Sequence, residues 1–329
     1  MFVKCIHQWY DIGERTEEFM YYFIVNPNSR SGAGRVIWGL LYARLIQKKV
    51  EFKFFFTQYV GHAKKLTARI CQEASADSPV TLVAVGGDGT ISEVLTGLTN
   101  PEHILFGFVP TGSGNDFCRS MHLPTDPVEA LNSILEKKRV VRMDLPRMMT
   151  GNRGCRFGIS AGIGYDAAVC QEVAASPAKK ILNRFGLGKL IYLLVALKQL
   201  LFITPTPMIL TLDGNRKYQF SKVYFCAVMN QKYEGGGFKF CPQAKPGDGI
   251  LDVIVVEGIS KLKLLLCLPT AFFGRHTRFK GIHILRCRRI NINSSVPLAV
   301  HRDGESGGIR DNFTVFLEKN TLKIIMPVL

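Results

Sequence analysis

Three short loops combine glycine with aspartate and small polar residues, a combination that is typical of phosphate-binding sites. In the segment GGDGT, Gly86, Gly87 and Gly89 surround Asp88, and glycines allow backbone N–H groups to approach phosphate oxygens closely. An aspartate beside phosphate is unfavourable unless a divalent cation lies between them, as phosphoryl transfer normally requires. The segment therefore predicts a nucleoside triphosphate site in which Asp88 organises bound magnesium. The competing interpretation is a hairpin turn, in which Asp-Gly is common.

The other two loops are NPNSRSGAG, residues 26–34, and PTGSGNDF, residues 110–117. Strand-like and helix-like segments alternate over about the first 145 residues, which predicts βαβ units and a parallel sheet. Each of the three loops follows a predicted strand, and ligands of such sheets bind beyond the carboxyl ends of the strands. The sequence lacks the G-x-x-x-x-G-K-[ST] pattern of P-loop enzymes. We therefore expect the three loops to form one site of a different kind.

The pattern changes after about Leu145, where shorter alternating segments are separated by glycines. These segments, among them RFGISAGIGYDAAV, predict antiparallel strands, with two helices near Ile181–Phe202 and Lys261–Phe273. The predicted fold class is α/β plus β. An α/β domain is expected over residues 1–145, followed by a mostly-β domain over 146–329 whose C-terminal tail packs back on the first domain.

The chain has 42 lysines and arginines against 26 aspartates and glutamates, a formal charge of +16. Such a charge favours a polyanionic partner: an anionic lipid surface, a phosphorylated small molecule or nucleic acid. No helix-turn-helix, zinc or RNA-recognition signature supports nucleic acid. The nine cysteines form no C-x-x-C pair, and no apolar run has signal-peptide or membrane-spanning length, which predicts a cytoplasmic protein. The seven histidines show no metal-ligand spacing, and we expect His301 to be solvated.

Six motifs, in their order along the chain, resemble those of the diacylglycerol kinase catalytic-domain family, and especially its soluble bacterial lipid kinase branch, which is related to sphingosine kinases. The motifs are NPNSRSGAG, GGDGTISEVLTGL, GFVPTGSGNDFCR, GIGYDAAV, NQKYEGGGFKFCPQAKPGDGILDV and RDGE. The resemblance extends from about Tyr21 to Leu329. It implies an N-terminal domain like those of phosphofructokinases and NAD kinases, a C-terminal β-sandwich, and ATP in the cleft between them.

The resemblance also implies a set of nucleotide contacts and a catalytic base. Glu305 matches the proton acceptor, with Asp303 beside it, although some relatives use the aspartate that corresponds to Asp88 as the base. From the residues alone, a solvated hairpin turn is the better interpretation of the RDGE segment, and only the resemblance reverses it. The residues expected to contact ATP are Asn26, Pro27, Asn28, Ser29, Arg30, Thr57, Gly86, Gly87, Asp88, Gly89, Thr90, Ile91, Ser92, Ser113 and Asn115.

A second, structural magnesium ion is implied in the segment AKPGDGILD. The family pattern assigns it to the carboxylate of Asp248 and the backbone carbonyl oxygens of Lys245 and Ile250. Pro246 departs locally from that pattern. In GIGYDAAV, Asp166 fits a position in the cleft and also a helix cap.

The predicted function is the Mg²⁺-dependent transfer of the γ-phosphoryl group of ATP to a lipid hydroxyl, with diacylglycerol as the first-choice acceptor and phosphatidic acid as the product. The alternatives are another lipid acceptor (sphingoid or ceramide-like, monoacylglycerol, prenol), a soluble NAD kinase-like enzyme, and a non-catalytic lipid- or nucleotide-sensing module. The segment Lys261–Gly281 mixes leucines and phenylalanines with basic residues, which predicts contact with the inner face of an anionic membrane. The alternative for this segment is a core-packing helix followed by a basic loop. Separately, the resemblance suggests that the protein forms a homodimer.

Overall fold

The first half of the chain forms a parallel sheet with helices on both faces. In the computed structural model, which describes residues 20–112, 114–137, 139–176 and 188–327, the buried segments YYFIV and VTLVAVG form adjacent parallel strands. Continuous apolar runs of this kind are typical of parallel strands that are covered on both faces. The elements are β1 (Tyr21–Val25), α1 (Ala33–Gln47), β2 (Phe52–Phe56), α2 (His62–Cys71), β3 (Val80–Gly86), α3 (Asp88–Gly97), β4 (Ile104–Pro110), α4 (Asp116–Met121) and α5 (Pro127–Glu136).

The order of these strands in the sheet is β2-β1-β3-β4, and all neighbouring pairs are parallel. The loops that follow them begin at Asn26, Thr57, Gly87 and Thr111, so all four lie along one edge of the sheet. Helix α3 begins at Asp88, directly after the two glycines that end and follow β3. The GGDGT segment is therefore a strand-to-helix connection and not a hairpin turn.

The second half consists mainly of antiparallel strands. Its elements are β5 (Arg139–Thr150), β6 (Arg153–Arg156), β7 (Ser160–Gly164), α6 (Tyr165–Ala175), α7 (Gly188–Phe202), β8 (Thr206–Leu212), β9 (Arg216–Met229), β10 (Leu251–Glu257), α8 (Lys261–Phe272), β11 (Ile282–Cys287), β12 (Arg289–Arg302) and β13 (Glu305–Met326). Strand β5 runs through residues 145 and 146, where we predicted the boundary between the two domains. The position of that boundary stays a prediction. The helix expected over 181–202 begins outside the described residues.

The predicted continuous strand through GIGYDAAV is wrong from Tyr165 onward. Strand β7 ends at Gly164, whose φ of 102° is in the left-handed region that favours glycine, and α6 begins at the next residue. Periodicity does not distinguish a strand from a helix over such a short apolar segment. The second half therefore contains, within its described part, one helix more than the two expected.

Strand β13 joins the two halves of the chain. Its first part pairs with β12, and its last part lies parallel to β4, with Lys323 opposite Leu105 and Ile324 opposite Phe106. The side chain of Arg156 adds to this connection, because its Nη1 atom donates a hydrogen bond of 3.2 Å to the carbonyl oxygen of Leu95 in the first half, while its Nη2 atom donates one of 2.7 Å to Glu318 Oε2 on β13. Burial acts to raise the pKa of Glu318, but hydrogen bonds from Arg156 and Arg147 outweigh it and lower the pKa below its usual range.

Apolar clusters cover both faces of the parallel sheet, fill the space between the strands of the second half, and lie beneath α6 and α7. The predicted fold class, an α/β domain followed by a β-sandwich, is confirmed. Among the helices of the described ranges, none combines the length and the apolar character needed to cross a membrane.

Candidate active site

The loops after β3 and β4 meet backbone to backbone at the carboxyl edge of the sheet. A Cβ atom added to Gly112 would lie 2.8 Å from the Cα atom of Gly87, and one added to Gly86 would lie 2.3 Å from Thr90 Oγ1. Both distances are shorter than the usual carbon contact of about 3.5–4.0 Å, so this approach requires glycine. The loops form one surface at the N-terminus of α3, where unpaired N–H groups and the helix dipole favour phosphate.

The loop after β1 is held against the same surface by side chains. Asn26 Nδ2 donates a hydrogen bond of 3.2 Å to Thr90 Oγ1, and Ser29 Oγ lies 2.6 Å from Thr111 Oγ1. The prediction that the three glycine-containing loops lie together at one sheet edge therefore agrees with the structure.

Asp88 lies in the first turn of α3, opposite the start of α4. Its Oδ2 and Oδ1 atoms accept long hydrogen bonds from the N–H groups of Asp116 and Phe117, at 3.3 and 3.4 Å. Burial, followed by the charge of Asp116, raises the pKa of Asp88 to about 7. A divalent cation would stabilise the charged form of Asp88 in such surroundings. The carboxylate of Asp88, whose own hydrogen bonds are long, therefore fits a magnesium ion bound together with triphosphate.

Glu305 brings a second carboxylate to this loop from the other half of the chain. It follows the turn between β12 and β13, and its Oε1 atom lies 3.1 Å from the position that a Cβ atom would have on Gly89. Glu305 is exposed. The turn thus places Glu305 beside Gly89 of the GGDGT loop, the residue that follows Asp88 in the chain.

Asp303, which we predicted beside the base, is bonded entirely within the protein. Its Oδ1 atom accepts hydrogen bonds from the N–H groups of Ile159 and Ser160, at 2.8 and 3.1 Å, and its Oδ2 atom accepts one of 2.9 Å from Gly158. Its φ of 48° lies in the left-handed region, which aspartate tolerates better than most residues. These contacts support a role in fixing the turn that carries Glu305, rather than contact with substrate.

Asp116 is a site residue that the sequence reasoning missed. Its carboxylate pairs with Arg119 and accepts a hydrogen bond of 2.7 Å from the N–H of Gly236, so it links α4 to the loop of residues 231–240. The available signal is its position directly after Asn115 in the GSGNDF motif. Helix α4 has only six residues, which is too short to show a periodic pattern.

The remaining predicted ATP contacts differ in their exposure. Ile91 is buried in the apolar core, and the buried Ser92 Oγ accepts a hydrogen bond of 3.2 Å from Arg302 Nε, so both side chains contact protein. Arg302 is a second residue that the sequence reasoning missed, and it joins α3 to β12. Ser113 lies outside the described residues. Of the others, Asn28 and Arg30 are exposed, Thr57 and Asn115 are half-buried, and Pro27 is buried.

At the segment predicted to hold a structural magnesium ion, the guanidinium group of Arg286 already binds the aspartate carboxylate. Asp248 Oδ2 accepts a hydrogen bond of 3.0 Å from Arg286 Nη2, and Asp248 Oδ1 accepts one of 3.1 Å from the N–H of Ile250. Arg288 Nε donates to the carbonyl oxygen of Gly249 at 3.2 Å. Both carboxylate oxygens thus have protein donors, and one of these donors is a guanidinium. The arrangement does not fit a magnesium ion bound by Asp248, Lys245 and Ile250.

His301, expected to be solvated, is completely buried. Its Nε2 atom lies 2.9 Å from Asp166 Oδ2. Asp166 Oδ1 accepts a hydrogen bond of 2.8 Å from the N–H of Ala167, at the start of α6. The expectation for His301 is wrong because its partner is 135 residues away in the chain, a distance over which sequence patterns give no signal.

The fold and the site define a two-domain enzyme with a glycine-rich anion surface between carboxylates from both halves. The family model "Diacylglycerol kinase catalytic domain" matches residues 20–148, and the model "YegS C-terminal NAD kinase beta sandwich-like domain" matches residues 159–324. The chain is 31% identical over 303 residues to "Putative lipid kinase YtlR" of Bacillus subtilis (strain 168), covering 88% of this chain and 94% of that protein.

Other relatives agree with this assignment. A diacylglycerol kinase of Mycobacterium tuberculosis (strain ATCC 25618 / H37Rv) is 28% identical over 284 residues, 86% of this chain and 87% of that protein. The fold resembles the crystal structure of a diacylglycerol kinase from Bacillus anthracis str. Sterne, with a TM-score of 0.66, 20% identity, and coverage of 95% of this chain and 98% of that one. The chain belongs to the diacylglycerol kinase family, a family of lipid kinase enzymes, and the predicted family and enzyme class are confirmed.

Proposed function

We propose that this lipid kinase transfers the γ-phosphoryl group of ATP to the hydroxyl group of diacylglycerol, in the presence of Mg²⁺, and releases phosphatidic acid and ADP. The observation that carries the proposal is the approach of Glu305 to Gly89 in the GGDGT loop. Asp88, the residue before Gly89, begins α3 in the same loop. An anion surface alone would bind phosphate. A second, exposed carboxylate beside it adds a group that can accept the proton of an attacking hydroxyl.

In this proposal the backbone N–H groups of the three loops hold the triphosphate, and Asp88 holds the cation. Magnesium, when bound, neutralises charge on the phosphate oxygens. Glu305 accepts the proton of the lipid hydroxyl while the oxygen of that hydroxyl forms the new bond to the γ-phosphorus. The bond between the γ-phosphorus and the bridging oxygen breaks, and ADP leaves with that electron pair. Asp116 and Asp303 act as positioning residues for Asp88 and Glu305.

Diacylglycerol is preferred over the other acceptors because several relatives with 27–29% identity carry the name diacylglycerol kinase. These relatives align with 77–88% of their own lengths. A soluble acceptor such as NAD is less consistent with the exposed apolar side chains on α8.

We also propose that α8 contacts an anionic membrane surface, at its cytoplasmic face. Leu264, Cys267 and Ala271 pack on the protein core, whereas Leu262 and Leu266 on the opposite side of the helix are 67% and 65% exposed. The exposed apolar residues continue at the end of this helix and at the end of α7: Phe272, Phe273, Leu201 and Phe202. Exposed basic residues follow directly: Arg275, Arg278 and Lys280. Apolar and basic side chains on one surface fit an anionic bilayer.

This surface adjoins the active site. The ring of Phe272 stacks on that of Phe238, with a centroid distance of 4.1 Å. Phe238 belongs to the 231–240 loop, whose Gly236 N–H donates to the carboxylate of Asp116. A membrane in contact with α8 would therefore hold the acceptor hydroxyl near the carboxylates.

The acceptor is tested by incubating the purified protein with γ-labelled ATP and Mg²⁺ in separate mixed micelles of diacylglycerol, ceramide, monoacylglycerol and a polyprenol, and with NAD alone. We expect label in phosphatidic acid. Label only in another lipid would overturn diacylglycerol as the acceptor, and label only in NAD, or none, would overturn the lipid kinase function.

Membrane contact is tested by sedimentation with vesicles of mixed neutral and anionic lipids. The variant Leu266→Gln/Phe273→Gln should sediment less than the wild type, whereas Leu40→Gln, at an exposed position on α1, should sediment normally. Equal sedimentation of all three proteins would contradict the proposed surface.

A further inference from the structure

A buried cluster of three titratable residues lies behind the turn that carries Glu305. His301 Nε2 is 2.9 Å from Asp166 Oδ2 and 3.3 Å from Glu234 Oε1. His301 is completely buried, and Glu234 and Asp166 are nearly so. We call these residues the His301 cluster, and none of them has a role in the phosphoryl transfer described above.

The cluster is an ion pair rather than a set of neutral hydrogen bonds. Burial by itself would lower the pKa of His301, but the charges of Glu234 and Asp166 outweigh burial and raise it. The N–H of Gly304 approaches Nδ1 at 3.4 Å, a long contact that only a neutral ring could accept. Two carboxylates within 3.3 Å outweigh this single weak contact, so the ring carries a positive charge.

Each member of the cluster lies on a different segment next to the active site. His301 is on β12, two residues before Asp303 and four before Glu305. Asp166 is in the first turn of α6, and Glu234 is in the 231–240 loop, whose Gly236 is bonded to Asp116. The cluster therefore connects the turn of the catalytic base to the loop that contacts Asp116, and it anchors both to α6.

The backbone leaves space for this contact. A Cβ atom on Gly162 would lie 2.3 Å from Asp166 Oδ2 and 2.4 Å from His301 Nε2. Glu234 Oε2 is buried and has at most the hydroxyl of Ser160, itself without a well-formed hydrogen bond, as a nearby donor, so the charge of Glu234 is compensated mainly by His301 at its other oxygen. A buried carboxylate in this state is costly without its cation, which makes the conformation of the 231–240 loop dependent on His301.

We propose that His301 is a positioning residue for phosphoryl transfer: its buried ion pair with Glu234 and Asp166 fixes the turn of Glu305 relative to the loop that contacts Asp116. This inference rests on the proposed function. The hydrogen bonds and ion pairs of the cluster join its members to one another, to Ala167 and to Gly304, and none of them is to the GGDGT loop in the described part of the chain. The cluster therefore affects the catalytic step more than the binding of ATP.

The test compares His301→Gln, Glu234→Gln and the double variant with the wild type. Removing one partner leaves a lone buried charge, so the single variants are expected to lose stability. The double variant removes both charges of the Glu234–His301 pair. The remaining carboxylate, Asp166, keeps its hydrogen bond from the N–H of Ala167 and lies in the first turn of α6, where the helix dipole favours a negative charge, so the double variant is expected to fold. Its kcat should fall by about 10- to 100-fold, the effect of misplacing a catalytic group by about 1 Å, while its KM for ATP changes by less than about threefold.

The matched control is His283→Gln. His283 on the edge strand β11 pairs at 3.3 Å with Glu257 on the adjacent strand β10, and β9 and β7 separate these strands from β12 in the sheet order. The kcat of this control variant should stay within about twofold of the wild type. A double variant with wild-type kcat, or a loss in His283→Gln as large as that in the double variant, would overturn the proposal.

Hydrogen exchange measured by mass spectrometry separates this proposal from the proposed function. The double variant should exchange faster than the wild type at residues 302–306 and 232–238, and not on α1. If the wild type phosphorylates no lipid, the proposed function fails, while exchange still reports on the positioning role. Unchanged exchange at both segments would overturn that role.

Discussion

Replacing Gly112 by alanine should separate the two loops that form the anion surface. The added Cβ atom would lie 2.8 Å from the Cα atom of Gly87, whereas carbon atoms in contact are usually about 3.5–4.0 Å apart. The neighbour is backbone and cannot rotate away, so the loops must separate by about 0.7–1.2 Å. A displacement of about 1 Å at a reacting group can reduce the rate about 100-fold, and overpacking of this kind costs about 1–3 kcal/mol of stability.

The assay is the rate of ATP-dependent lipid phosphorylation, together with ATP affinity from calorimetry. We expect kcat/KM for ATP to fall about 100-fold in Gly112→Ala. Gly39→Ala is the matched control, because Gly39 is in the exposed interior of α1 and a Cβ atom there would have nothing within 4 Å. The control should keep wild-type activity and gain up to about 1 kcal/mol of stability. Wild-type kcat/KM in Gly112→Ala would refute the close contact of the loops as a requirement for activity.

Three further predictions follow from contacts away from the phosphates. Asp303→Asn removes acceptor capacity for one of three backbone N–H groups, so thermal unfolding should show a loss of about 1.5–3 kcal/mol and kcat should fall with it; an unchanged melting temperature would contradict the role given to Asp303. Glu318→Gln should cost about 3–5 kcal/mol at pH 7, and because the folded-state pKa of Glu318 is lowered, this difference should shrink as the pH falls below about 4; a difference independent of pH would contradict the ion pair. Without nucleotide, Mg²⁺ should leave the melting temperature of the wild type unchanged but raise that of Arg286→Gln, in which Asp248 loses its guanidinium partner; equal stabilisation of both proteins would indicate that Arg286 does not take the place of the ion.

The position of the phosphate loops could be predicted from the sequence because it depends on local signals. Strand-like and helix-like segments alternate, parallel strands place their carboxyl ends at one edge, and glycine followed by a helix marks a place where phosphate can approach. Asp88 could be identified because a carboxylate in such a loop requires a cation. Its neighbour Asp116 could not, since a six-residue helix shows no period and the partner carboxylate is 28 residues away.

The contacts between the two halves could not be predicted from local patterns. Asp303 and Glu305 are two residues apart in one turn, yet the structure uses one for three backbone hydrogen bonds and leaves the other exposed. His301 has no local signal either, because its burial follows from Asp166 and Glu234 on separate segments. The same holds for Arg286, whose pairing with Asp248 spans 38 residues and changes the interpretation of the predicted metal site.

The most direct test of the central claim is label transfer from γ-labelled ATP to diacylglycerol by four proteins: the wild type, Asp88→Asn, Glu305→Gln and Glu129→Gln. Glu129 is an exposed carboxylate on α5 and provides the control. If Asp88 and Glu305 act together on one transferred phosphoryl group, the first two variants should each lose at least about 100-fold in kcat, while Glu129→Gln keeps wild-type activity and all four proteins show the same melting temperature within a few degrees. Near-full turnover in Glu305→Gln would contradict its role as the base, and near-full turnover in Asp88→Asn would contradict the site itself.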